Sequence, residues 1–127
     1  MFSHIVVGSD DLDAAKTFYD AILGTIGVAP GMADPGGRVF YMSPSGSFMV
    51  TRPINGEPAT FANGGTIGFA IGSPEQVDAW HQAGVENGGT SCEDPPGLRA
   101  AAFGNMYLAY LRDPAGNKLC GFHMVAG

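Results

Sequence analysis

Three histidines, two cysteines and twelve carboxylates are the side chains of this 127-residue chain that could ligate a metal or move a proton, and they are unevenly placed. His4 opens the apolar run His4-Ile5-Val6-Val7, and Cys120 stands in a period-2 stretch with Lys118 and Phe122. Imidazole and thiolate can bind zinc together, so His4 and Cys120 are weak candidates for metal ligands. Two ligands do not complete a site, and a single strand histidine or buried cysteine is more often a pocket or packing residue. All twelve carboxylates fall in segments that read as helices, turns or loops, from Asp10 and Asp11 to Glu93, Asp94 and Asp113. A site assembled from strand faces would lack a carboxylate for a hard metal or for proton abstraction. The expectation is a site without a metal or other cofactor, the alternative being a divalent Zn, Mn, Ni or Fe ion.

If the turn Asp113-Pro114-Ala115-Gly116-Asn117 closes a regular hairpin, Leu108 and Tyr110 share a face with Cys120 and Phe122. That face would be apolar, with one phenol and the Lys118 ammonium at its rim. Arg52 and Arg99 are further polar candidates; Arg99 follows Pro95-Pro96-Gly97-Leu98 and could clamp an anion. His123 has the opposite strand parity to Cys120 and should point away, and His81 sits on a helix beside Trp80. The glycine-rich pieces Pro35-Gly36-Gly37 and Asn63-Gly64-Gly65 do not follow a strand and open a helix, so no nucleotide loop is expected.

The elements that must position these residues repeat. A shift of 62 residues pairs His4 with Thr66, Phe18 with Trp80 and Tyr19 with His81. Each half begins with a short apolar strand, Ser3–Gly8 or Thr66–Ile71, followed by a helix. Asp10 or Asp11 caps the first helix, and Ser73-Pro74-Glu75-Gln76 reads as a capping box for the second. Ala15, Phe18, Tyr19 and Ile22 form one buried stripe, and Val77, Trp80 and Gly84 the other. Gly24 and Gly88 are placed to stop the helices. Glycine-punctuated strands follow at Arg38–Met42, Ser47–Arg52, Met106–Arg112 and Lys118–Val125, with weaker ones near Thr25–Ala29 and Gly89–Cys92 and a loop at Glu93–Gly97. The chain thus reads as one domain, 1–127, made of a β-α-β-β-β module over about 1–53, a linker over 54–65 and a second module over about 66–127.

Composition narrows the function. Apolar residues are 45% and charged residues 14%, a mixture that folds rather than stays disordered. The net charge of -6 offers no basic patch for nucleic acid. No apolar run is long enough to span a bilayer, and residues 1–10 lack the basic start of a signal peptide, so a cytoplasmic location with both cysteines as free thiols is expected.

His4-Ile5-Val6-Val7, the helix end Phe18-Tyr19-Asp20-Ala21-Ile22-Leu23-Gly24, Asn63–Phe69, Val77-Asp78-Ala79-Trp80-His81, and Tyr107–Lys118 with its Arg-Asp-Pro-x-Gly-Asn-Lys turn together resemble the vicinal oxygen chelate superfamily. That superfamily includes glyoxalase I, bleomycin-resistance proteins, fosfomycin-resistance enzymes and extradiol dioxygenases. The resemblance implies an α+β fold of paired βαβββ modules whose sheets curl into a cup with the helices outside, and often a homodimer. In metal-dependent relatives the ligands are two histidines and a glutamate, at positions matching His4, Thr66 and Cys120 here, and only His4 is of the expected type. Arg99 then falls near the mouth of the cup. Together with the apolar face, the resemblance reads as a family fold with a degenerate metal site, a metal-free binding or sequestering protein of the bleomycin-resistance type or a pseudoenzyme. Its cup would bind a small, mostly apolar or aromatic molecule through His4, Arg52, Thr66, Arg99, Leu108, Tyr110, Cys120 and Phe122. The alternative is a metal-dependent enzyme, a glyoxalase-like lyase or isomerase or a ring-cleaving dioxygenase; a vestigial cup with a functional dimer surface is a third reading.

Overall fold

Asp11 turns the chain from strand β1 (His4–Gly8) into helix α1 (Leu12–Gly24), its carboxylate accepting from Ala14 N at 3.0 Å. The computed structural model describes residues 1–125, so the last two positions of the second module as read from sequence lie outside the described residues. The stripe Ala15, Phe18, Tyr19 and Ile22 is buried. Gly24 ends α1, but the left-handed residue that closes it is Gly27, at φ 86°, and Val28 N bonds back to Leu23 O at 3.1 Å. These closing bonds occupy the N–H groups of Ile26, Gly27 and Val28, so the strand anticipated near Thr25–Ala29 gives way to β2, a two-residue piece at Met32–Ala33.

Strands β3 (Val39–Ser43) and β4 (Gly46–Thr51) complete a first sheet of order β1-β4-β3-β2, in which β1 runs parallel to β4 and the other pairs are antiparallel. The second half repeats this with β5 (Ile67–Ala70), α2 (Pro74–Glu86), β6 (Thr90–Ser91), β7 (Gly97–Ala101), β8 (Gly104–Arg112) and β9 (Lys118–Met124). Its order is β5-β9-β8-β6, and β7 also pairs with β8. Thr66, read as strand, lies one residue before β5. Ser73 caps α2, accepting from Gln76 N at 3.2 Å, and Gly88, at φ 98°, follows its end.

β6 and β7 are one edge strand in two pieces. Ser91 pairs with Leu111 and Gly97 with Leu108, so five residues, Cys92 to Pro96, stand where the ladder has room for two. Pro95 and Pro96 have no N–H to give to a ladder, and Glu93 adopts φ 57°, the one non-glycine residue with positive φ among those described. The loop expected at Glu93–Gly97 is therefore a bulge within a strand, and strand resumes at Gly97.

Side-chain alternation gives each sheet two faces. Val7, Val39, Tyr41, Phe48, Val50, Ala109, Leu111 and Leu119 turn toward the helices and form one core with Phe18, Tyr19, Ile22, Val77 and Trp80. An aromatic chain crosses between the halves: Tyr19 to Phe48 at 4.7 Å, Phe48 to Phe69 at 5.6 Å and Phe69 to Trp80 at 6.3 Å. Gly84 lets α2 sit close, since a Cβ there would come within 2.4 Å of Leu111 Cδ1 and 3.2 Å of Ile22 Cγ2. A buried polar tie supplements the packing. The Tyr19 hydroxyl donates to Asp113 Oδ2 at 2.6 Å, Asn117 Nδ2 donates to the same oxygen at 2.9 Å and to Gly8 O at 3.0 Å, and Asp113 Oδ1 accepts from Ala115 N and Asn117 N. The hairpin turn of the second half is thus bolted to α1 and β1 of the first. Burial, and then the Asp113 carboxylate, hold the Tyr19 hydroxyl well above its ordinary pKa, so it stays a donor.

The fold is α+β, with two mixed sheets and two helices packed on one side. Among the described residues no helix is long and apolar enough to cross a membrane. β1 and β5 are the inner edges of their sheets, and two cavities lie along the seam between them.

Candidate ligand-binding face

The face of the second sheet away from the helices carries the even-numbered residues of β5, β8 and β9. Leu108 lies opposite Phe122, Tyr110 opposite Cys120, and Arg112 opposite Lys118. On the other side of β9, Gly68 is the partner of Cys120 and Ala70 of Phe122. A Cβ placed on Gly68 would meet nothing within 4 Å. Over β5 this face has almost no side chains, and Cys120, Phe122, Leu108 and Tyr110 stand beside it, an arrangement we call the trough. Across the seam stands His4, which lines a cavity of about 600 Å³ together with Gly68, Ala70, Ser47 and Met42.

Of the residues singled out from sequence, Leu108, Tyr110, Cys120 and Phe122 thus come together on one surface. Arg99 joins them from β7: it pairs with Met106, and its guanidinium folds back over Gly97 to donate to Pro95 O at 2.8 Å. His4 faces the same trough from the first sheet but is exposed, its Nδ1 2.7 Å from Ser3 Oγ. Thr66 and Arg52 stand apart. Thr66 lies toward the opposite end of the seam, in a second cavity of about 310 Å³ with Gly8 and Lys118. Arg52 is exposed just past the end of β4, its guanidinium beside Gly37 on the β2–β3 turn. His123, as its parity requires, points away, with Nδ1 donating to Ile71 O at 2.9 Å. His81 faces Ser91 Oγ at 2.9 Å; burial lowers its pKa against the opposing pull of Asp78.

One residue was missed by the sequence reading and changes the chemistry. Glu93 lies in the bulge, outside every strand, yet its carboxylate pairs with the Lys118 ammonium. A carboxylate does reach this face, carried by a loop, which corrects the expectation of a face without one. The pairing holds the Lys118 pKa above its ordinary value. Burial, and then the neighbouring thiol and Glu93, push the Tyr110 hydroxyl up, with Lys118 opposing. Burial likewise pushes the Cys120 thiol up; Glu93 adds to this, and a hydrogen bond with Tyr110 and the charges of Lys118 and Arg99 oppose it. Tyr110 and Cys120 therefore meet as neutral phenol and thiol, two hydrogen-bonding groups in an otherwise apolar wall. The Lys118 ammonium lies 5.0 Å from the centre of the Tyr110 ring, a cation–π distance.

The divalent metal of related proteins does not fit the donors present. The three matching positions hold an exposed imidazole, a hydroxyl toward the far end of the seam and a buried thiol beside Tyr110. Among the described residues no three His, Cys, Asp or Glu side chains come together.

A family model described as Glyoxalase/Bleomycin resistance protein/Dioxygenase superfamily matches residues 1–120. A glyoxalase/bleomycin resistance protein from Albidiferax ferrireducens T118 superimposes with a TM-score of 0.94 at 61% identity, over 97% of this chain and 98% of that one. A glyoxalase-related enzyme from Fulvimarina pelagi gives 0.74 at 20% identity, over 97% and 87% of the two chains. A lactoylglutathione lyase from Agrobacterium tumefaciens gives 0.66 at 24% identity, over 97% and 92%. The last two likenesses are of fold. The search of curated proteins found no match. With a family match across nearly its whole length, and both sheets and helices in the arrangement of these structures, the chain belongs to the glyoxalase/bleomycin resistance protein/dioxygenase superfamily.

Proposed function

We propose that this protein binds a small, mostly apolar or aromatic molecule on the concave face of its second sheet, as a family member whose metal site has degenerated. The observation that carries the reading is the trough itself. Two directly opposed pairs, apolar Leu108–Phe122 and hydrogen-bonding Tyr110–Cys120, stand beside a strand that offers only Gly68 and Ala70, so a flat ring can lie on backbone and against side chains at once. Concave, mostly apolar surfaces with a few fixed polar groups are the usual form of small-molecule sites. The phenol of Tyr110 and the thiol of Cys120 supply such groups.

The test is a thermal-shift titration with 2-naphthamide, a neutral aromatic probe. The probe is expected to raise Tm in the wild-type protein, since a ligand at 100 times its Kd adds roughly 2.7 kcal/mol to folding stability. Gly68→Phe fills the floor of the trough and should abolish the shift. An equal shift in both proteins would place the binding elsewhere, and no shift in the wild type would overturn the reading.

A further inference from the structure

Charge on this molecule is segregated in a way that apolar binding does not require. The chain carries six Lys and Arg against twelve Asp and Glu. Three of those six cations, Arg99, Arg112 and Lys118, lie on the concave face of the second sheet. Arg112 is committed to the turn, with Nη1 donating to Gly116 O at 2.7 Å and its guanidinium 5.1 Å from the Phe61 ring centre. Arg99, in register with Met106 toward the other end of β8, donates to Pro95 O at 2.8 Å, and Lys118 is held by Glu93 alone among the described residues. Both charges are felt at the Cys120 thiol, where the opposing carboxylate is Glu93.

The counter-charge is held awkwardly. Glu93 reaches Lys118 from a bulge, from a left-handed backbone at φ 57° that non-glycine residues seldom adopt. The Glu93 side chain is nearly half exposed, at 46%, whereas that of Lys118 is 23% exposed. The ammonium belongs to the sheet, and its partner is a loop residue at the rim.

We propose that Lys118, with Tyr110 beside it, receives the carboxylate of a small aromatic acid, and that Glu93 occupies Lys118 as a resident stand-in which the ligand's carboxylate displaces. This rests on the trough being the binding surface, and it assigns the class of ligand. The aromatic body lies over Gly68 and Ala70 against Phe122 and Leu108. The carboxylate takes a charge-assisted hydrogen bond from Lys118 Nζ and another from the Tyr110 hydroxyl. The released Glu93 side chain moves into water, where its charge is solvated at little cost.

The experiment compares 2-naphthoate with its neutral isostere 2-naphthamide by NMR titration of the full chain, following the amides of Leu108, Tyr110 and Phe122. The readout is the ratio of the two affinities in each protein. Glu93→Gln removes the competing charge and should raise the preference for naphthoate about tenfold, the effect of one exposed to half-buried charge pair. Lys118→Met should bring the ratio to about one or below. The wild-type preference should fall as salt is raised from 20 to roughly 300 mM, since the charges are partly exposed. If Glu93→Gln leaves the ratio unchanged, or Lys118→Met keeps the preference for the acid, the proposal is wrong even though naphthamide binds the trough. If neither probe binds the wild-type protein, the trough itself is not a binding surface and both readings fall.

Discussion

The two halves share one construction and differ in what lines it. Crossing the first sheet on its concave side, one row reads Val6, Met49, Phe40 and Met32. The corresponding row of the second sheet reads Gly68, Cys120 and Tyr110, and then the backbone of Cys92, whose N–H donates to Tyr110 O at 3.3 Å. A valine has become a glycine, a thioether a thiol, and a benzyl ring a phenol. On the helix side the exchange runs the other way. Phe18 packs in a half whose β4 carries Val50, whereas its counterpart Trp80 needs Gly121 at the equivalent position of β9. The lesson is that duplication keeps the backbone pattern while each face is free to trade volume and polarity, provided each trade is matched by a neighbour.

The turns differ as much as the faces, and the difference can be broken by mutation. The first-half turn is exposed and bonded within itself, Ser43 Oγ donating to Gly46 O at 2.7 Å, while Asp113 of the second holds four donors from three residues, one of them on α1. Asp113→Ala should therefore lower the free energy of urea unfolding by roughly 3 kcal/mol or more, because several buried donors lose their acceptor at about 1–3 kcal/mol each. Ser45→Ala in the first-half turn should stay within about 0.5 kcal/mol of wild type. Similar losses for the two would mean that the turns carry equal weight.

A smaller effect separates the two faces of the second sheet. Each can be given the residue found in the first half. Gly121→Val should cost about 1–3 kcal/mol, as added methyl groups do in a filled core, because even its Cβ would lie 2.8 Å from Trp80 Cε3 and 3.0 Å from Ile71 Cδ1. Gly68→Val faces open space and should leave the thermal midpoint within a few degrees of wild type, a change of under about 1 kcal/mol. If both were tolerated, the pairing of a large helix residue with a small strand residue would not be what holds α2 in place.

The smallest effect concerns acid. In the first half, Asp20 accepts from the Tyr41 hydroxyl at 2.8 Å, Gly31 N at 2.9 Å and Lys16 Nζ at 2.6 Å; its counterpart at the 62-residue offset is Gln82, which does not ionise. Burial raises the Asp20 pKa, but the hydrogen bonds from Lys16, Gly31 and Tyr41 outweigh it and hold the carboxyl below the ordinary aspartate value. A carboxyl whose folded pKa is depressed stabilises the fold above its unfolded pKa, and that contribution disappears as pH falls through the folded value. Urea midpoints measured between pH 5 and pH 2 should drop less steeply below about pH 4 in Asp20→Asn than in wild type. Parallel curves would show that acid sensitivity arises elsewhere.

Much of this was legible in the residues. The spacing of Ala15, Phe18, Tyr19 and Ile22 located the buried side of α1, and period-2 alternation around a Pro- and Gly-containing turn placed Leu108, Tyr110, Cys120 and Phe122 on one face, because both patterns are local. What depends on the path of the chain was not. Glu93 was set aside for lying outside a strand, although a bulge could carry it back over one. The juxtaposition of Glu93-Asp94 with Pro95-Pro96 between two strand-like pieces was the only signal, and it is weak. Thr66 and Arg52 were placed by position in the repeat or proximity to a strand, and neither says where along a seam or a turn a side chain ends up.

The packing of Phe69 between two environments has an optical consequence. The chain has one tryptophan, fully buried, with its indole N–H facing no hydrogen-bond acceptor, and its ring is 6.3 Å from that of Phe69, itself a wall of the 600 Å³ cavity. Emission from Trp80 therefore comes from a single apolar site, blue-shifted and free of a second fluorophore of its kind, and it is one side chain removed from the space between the sheets. The molecule carries its own reporter of whatever moves that wall.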